Sequence, residues 1–172
     1  MKLIIYFFTF VFFSLNINAQ NIATIRLSYI INNSNEFQTF LIKLDKIKSK
    51  YFDELKNEEK QLEKRKIEIE NSKILFNEDE YSKLVNIFDD NANKYLIKVE
   101  KIENYLNNNI KINEKIILKT ISLIIEEYSQ KNKLDVILNE DQYFISSGSL
   151  DISDIIIEEL NKKKLDLKIS EK

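Results

Sequence analysis

The sequence contains no proline and a single glycine, Gly148, in 172 residues. Average chains carry about 7% glycine and about 5% proline, so the residues that make tight turns and end helices are almost wholly missing. Such a chain must run in long uninterrupted elements joined by few turns. It also has no cysteine and no histidine. That removes disulfides, thiol nucleophiles, serine–histidine catalysis and the usual transition-metal ligands. Lys and Arg number 26 against 28 Asp and Glu, a formal net charge of −2. A chain so balanced has no general electrostatic reason to bind nucleic acid.

The amino terminus reads as an export signal. Lys2 precedes an apolar run from Leu3 to Leu15, broken only by Thr9 and Ser14, and Asn16-Ile17-Asn18-Ala19 follows. Charged, apolar and small-ended regions in that order make a secretory signal peptide, with cleavage expected after Ala19. The run is shorter than the ~20 residues that span a bilayer. Retention as an N-terminal anchor is the alternative reading, and no cysteine is available for a lipid anchor. No later segment reads as membrane-spanning, so the remainder is expected to be soluble after export.

Asn21 to Tyr29 alternates, with Ala23, Ile25 and Leu27 against Thr24, Arg26 and Ser28, and predicts a strand. Asn32, Asn33, Ser34 and Asn35 offer N-caps for a helix opening at Glu36. Asn32-Asn33-Ser34 also matches a glycosylation sequon, which a bacterial-type export signal argues against. From Phe37 to Leu75 nothing breaks the helical pattern. Leu41, Leu44, Tyr51, Leu55, Leu62 and Ile69 form a seam, but Lys48, Glu58 and Arg65 occupy intervening seam positions. The face is thus apolar early and increasingly charged later.

Around residues 76–80 the pattern breaks, and Asn77 with Glu80 makes a capping box for a second helix. Tyr81, Phe88, Tyr95 and Ile102 recur every heptad beside Val85, Ala92, Val99 and Leu106. The stripe then shifts by one position through Ile110, Ile117, Ile121 and Ile124, and helix continues to about Gln130. Leu134–Asn139 and Gln142–Ser147 read as two strands turning at Glu140-Asp141, a β-hairpin. Asp151 caps a last helix from Ile152 to about Lys163, with Ile152, Ile155, Ile156 and Leu160 on one face. The tail from Leu165 to Lys172 shows no clear pattern and is expected to fray.

The predicted fold class is α+β and mostly α, a long antiparallel coiled-coil hairpin on a small β-body. So few short strands make a marginal sheet with open edges. Self-association that closes strands of several copies into one barrel would remove those edges. The expected organisation is a body of residues 20–35 and 132–164, a hairpin of residues 36–131 with its tip near 76–80, and a flexible tail of residues 165–172.

The order and residues resemble the OmpH/Skp family of periplasmic chaperones. The strand Ile22-Ala23-Thr24-Ile25-Arg26-Leu27 behind an export signal and the long charged hairpin carry part of the resemblance. More specific are Lys133-Leu134-Asp135-Val136-Ile137-Leu138-Asn139 through Ile145, and Leu150-Asp151-Ile152-Ser153-Asp154 opening the last helix, with Ser153 where the family usually has Thr. The resemblance implies a homotrimer with a β-barrel body and three helical tentacles around a cavity. It implies a periplasmic holdase for unfolded outer-membrane β-barrel proteins, without ATP or any other cofactor and without enzymatic activity. Family members are often basic, whereas this chain is slightly acidic. Lys64-Arg65-Lys66, flanked by Glu63 and Glu68, is a compact basic cluster near the presumed tip. A lipopolysaccharide site is therefore not carried over, and contact with a membrane surface stays open.

Within that frame Ile25, Leu27, Val136, Leu138, Phe144, Ile152 and Ile156 are expected to build the body and trimer core. Phe52, Tyr105, Phe76 and Tyr51 are candidate client contacts, Phe52 and Tyr105 because they lie off the main stripes. Tyr81, Phe88 and Tyr95 are better explained as packing between the arms. The carboxylate groups, such as Asp53-Glu54 and Glu78-Asp79-Glu80, read as solvated helix faces rather than Ca²⁺ or acid–base sites. A structural coiled-coil spacer of the envelope is the competing reading, and strands at both ends of the chain argue against it.

Overall fold

The computed structural model describes residues 20–170, so the expected signal peptide lies outside the described residues. The element order is β1 (Ile22–Ile25), α1 (Leu27–Asn32), α2 (Asn35–Ser72), α3 (Glu78–Asn132), β2 (Val136–Asn139), a 3₁₀ turn (Gly148–Leu150) and α4 (Ser153–Asn161). At ~1.5 Å per residue, the 38-residue α2 and the 55-residue α3 run roughly 55 and 80 Å. They pack against each other as two arms of a hairpin.

Each arm starts where the sequence offers a cap. Ser34 accepts a hydrogen bond from the Phe37 N–H and opens α2. Asn77 and Glu80 form the expected capping box of α3. With glycine so scarce, α3 ends on Lys133, which adopts the left-handed conformation at φ 54°. The seam between the arms is tightest near the body. Phe37, Phe40, Leu44 and Leu55 of α2 are buried there, as are Ile102 and Leu106 of α3. Toward the tip only Ile69 is fully buried, and the Lys98–Glu58 ion pair ties the arms together at mid-length.

α3, the longer arm, continues past the start of α2 into the body. There Ile117, Ile121 and Ile124 join a core made by Ala23 and Ile25 of β1, Ile30 of α1, and Ile152, Ile156 and Leu160 around α4. β1 and β2 pair in parallel, Ile22 beside Val136 through Ile25 beside Asn139. Parallel neighbours need a long crossover, and here the whole helical hairpin supplies it.

Three expectations change. The first strand ends at Ile25, and residues 27–32 form a helical turn instead. Its first N–H is bound by the Asn139 side chain, its Ile30 is fully buried, and the Arg26 guanidinium lies 4.0 Å from the Tyr29 ring centroid. Tertiary contacts thus override a β-favouring local sequence. The expected β-hairpin of residues 134–147 does not form. Asn139 closes a turn with Gln142, residues 142–147 form no strand, and the chain crosses to the far side of β1. There Ile152 donates to the Thr24 carbonyl, a parallel bridge that puts Asp151 opposite Thr24. The third change concerns the tail, which does not fray over residues 165–170 but lies along the arms, with Leu165 in the core.

Asp151 is the polar hinge of the body. It accepts from the Ser153 N–H and hydroxyl and from Arg26 Nε at 2.7 Å. Burial pushes its carboxyl upward, but these hydrogen bonds and the guanidinium outweigh that and hold it below the ordinary carboxylate value. A carboxylate depressed in the folded state stabilises above its unfolded pKa of about 4 and loses that contribution as pH falls through the folded value. Thermal melts should therefore fall below about pH 4, and Asp151→Asn should flatten that dependence. Asp151→Ala should cost about 1–2 kcal/mol at neutral pH.

Candidate binding surfaces

Exposed apolar side chains gather in three places, besides others scattered along the helices. The first is the turn between the arms. Ile74 and Leu75 are 93% and 81% exposed there, beside the partly exposed Phe76. They follow the last seam residue, Ile69, and precede the Asn77 cap, so neither helix can cover them. Of these only Phe76 is expected from the sequence. The signal for the others was an apolar run at a turn, where polar residues are the rule.

The second place is an open groove of about 580 Å³ along the arms, lined by Leu41, Leu44 and Phe52 of α2 and by Leu106 and Ile110 of α3. Phe52 is exposed as expected, with the Lys48 ammonium 5.4 Å from its ring centroid. Ile87, Leu96 and Ile97 extend the exposed apolar surface along α3. Tyr51 and Tyr105 are half-buried and face each other. Their rings meet edge to face at 6.0 Å, and the Tyr105 hydroxyl donates to the Ser170 carbonyl. Burial and the neighbouring Tyr51 raise the pKa of that hydroxyl, which keeps it a donor. Tyr81, Phe88 and Tyr95 are half-buried between the arms.

The third place is the sheet edge. β2 pairs with β1 on one side only, and beyond it Phe144 and Ile145 are 104% and 86% exposed. Ile25, Ile152 and Ile156 are buried in the chain's own body, and Leu27 and Leu138 are half-buried there. Val136 and Phe144 point their apolar surface outward. Among the described residues no group of three or more acidic side chains is placed to hold a metal ion. No helix among them is long and apolar enough to cross a membrane.

A family model described as outer membrane protein (OmpH-like) matches residues 21–160, from β1 through almost all of α4. The chain belongs to the OmpH-like family. Among solved structures, the OmpH-like fold is shared with a candidate outer membrane chaperone from Caulobacter crescentus CB15. The TM-score is 0.69 at 14% identity, over 84% of this chain and 85% of that one. At that identity the likeness speaks for the fold. No curated protein matches the chain in sequence. The OmpH-like match stops at residue 160, so the tail along the arms lies beyond it.

Proposed function

We propose that the protein is an ATP-independent holdase of the periplasm, exported by a signal peptide removed after Ala19. It binds unfolded outer-membrane β-barrel proteins between the arms of a homotrimer and keeps them from aggregating. Residues 20–35 and 132–164 form the body that joins three copies, and residues 36–131 form the tentacle. Membership of the OmpH-like family and the likeness to a candidate chaperone support a chaperone role.

The observation that carries the reading is the exposed apolar surface on long, thin, charged arms, above all at Ile74, Leu75 and Phe76. A holdase needs many weak apolar contacts that no single partner sequence satisfies. Each methylene withdrawn from water contributes about 0.8 kcal/mol, so a few partial contacts per arm suffice for reversible capture. Lysine and glutamate along the hairpins keep the hairpins of different subunits from associating with each other.

The test is dilution of a urea-unfolded outer-membrane β-barrel protein into buffer with and without the purified chain, followed by turbidity. The protein should suppress turbidity of the unfolded form and should not bind the folded one. Changing Ile74, Leu75 and Phe76 together to Ser should weaken client binding about tenfold, equivalent to ~1.4 kcal/mol. Phe52→Ser should weaken it less. No suppression by the unaltered protein would favour a structural spacer of the envelope instead.

A further inference from the structure

The arms and the tail together bury two polar side chains in the middle of an apolar seam. Asn109 and Asn113 are 1% and 0% exposed, in line between Leu106 and Ile117 on α3. Sequence periodicity routes the stripe through Ile110 instead, which is only half-buried. A buried amide in such a seam needs partners; Asn109 and Asn113 Nδ2 donate to the Tyr105 and Asn109 carbonyls of α3, and the tail provides the rest. Asn113 Oδ1 accepts the Lys168 N–H at 3.0 Å, and its Nδ2 donates to the Lys168 carbonyl at 2.9 Å. Asn109 Oδ1 accepts the Ser170 N–H at 2.8 Å and the Ser170 hydroxyl at 3.0 Å. The Tyr105 hydroxyl donates to the Ser170 carbonyl at 2.9 Å.

Apart from the Ser170 hydroxyl, the bonds to the tail all address its backbone, so they do not depend on which side chains it carries. The spacing is equally general. Two residues of extended chain advance about 6.6 Å and four residues of helix about 6.0 Å, so Lys168 and Ser170 meet Asn113 and Asn109 in step. The tail supplies apolar side chains at alternate positions. Leu165 is buried, Leu167 and Ile169 are half-buried, and Asp166, Lys168 and Ser170 between them are exposed. Leu167 and Ile169 rest on α2 beside Phe40.

We propose that Asn109, Asn113 and Tyr105 form a docking rail for an extended polypeptide segment with alternating apolar and polar side chains. The chain's own tail occupies the rail as a stand-in, and a client segment displaces it. This rests on the holdase reading for the identity of the client. Strands of membrane β-barrels alternate in this way, so an unfolded barrel protein carries many segments that fit. The tail lies outside the family match.

Fluorescence anisotropy with three labelled peptides tests the rail. One copies residues 164–172, one is an unrelated peptide alternating Val and Thr with Ser and Lys, and one is a scramble of the first with its Leu and Ile residues adjacent. Removing residues 164–172 from the chain should tighten binding of both alternating peptides at least tenfold and leave the scramble unaffected. Lys168→Pro in the full chain should act in the same direction, because it deletes the N–H that Asn113 accepts and leaves the arms untouched. In the truncated chain, Asn109→Leu with Asn113→Leu should abolish the gain. Equal peptide binding with and without the tail, or a gain that survives the double leucine change, overturns the rail. If the protein suppresses aggregation but shows either of those results, the rail is wrong and the holdase stands. If tail-gated peptide binding occurs without any suppression of aggregation, the rail is right and the holdase reading falls.

Discussion

On the proposed trimeric holdase, replacing Val136 and Phe144 together by Asp is expected to leave single chains and to abolish the holding of unfolded barrel proteins. Both side chains turn apolar surface away from the chain's own core, beside a β2 edge that has no partner among the described residues. A two-stranded sheet is marginal by itself, and an open apolar edge invites another strand. Burying one phenylalanine is worth about 1.5–3 kcal/mol, and a closed trimer repeats that gain at every interface. An aspartate at the same place would be buried without a partner, which is costlier still. The single chain should keep its helix content, because Phe144 is fully exposed and Val136 lies in the short strand β2, away from the helical seam. Sedimentation equilibrium with circular dichroism checks both halves. A variant that stays trimeric would place the subunit contacts elsewhere.

Ile156→Ala should have the largest effect on stability of any single apolar truncation in the body. Ile156 is fully buried on α4, the helix that packs on both α1 and α3. Truncations of this kind cost about 2–5 kcal/mol, a large share of the 5–15 kcal/mol that holds a typical domain together. The melting temperature should drop by roughly 10 °C, at ~2–4 °C per kcal/mol for a chain this long. Ile155→Ala, one residue away and exposed, should move it by less than about 2 °C. Hydrogen exchange in the Ile156 variant should lose protection first in β1, α1 and α4, with the seam around Ile102 and Leu106 holding longer. Equal effects at residues 155 and 156 would contradict the packing described.

The parts of this fold that depend on one periodicity or one cap were legible in the sequence. The capping box at Asn77 and Glu80, the seam through Leu44, Leu55 and Ile69, and the outward Phe52 all rest on local spacing. What was not legible depends on contacts between distant residues. The helical turn at residues 27–32 forms because Asn139, more than a hundred residues on, binds its first N–H and because Ile30 has a core to enter. The segment 142–147 has β-favouring residues, yet it pairs with neither strand: β1 gives its second edge to the chain around Asp151, and the outer edge of β2 stays open. The burial of Asn109 and Asn113 could not be read from hydrophobic periodicity, since their partners lie in a tail whose alternation is too short to stand out alone. Tyr105 looked available because it sits off the stripe. In the structure it meets Tyr51 edge to face and donates to the Ser170 carbonyl, contacts that spacing alone does not reveal.

The central claim is that three copies enclose one unfolded client, and light scattering on the purified mature protein tests it most directly. The protein alone should show the mass of three subunits. With an outer-membrane β-barrel protein diluted from urea, it should show a soluble complex of one trimer and one client. A mass of one or two subunits, with the client precipitating as it does alone, would contradict both the closed body and the holdase.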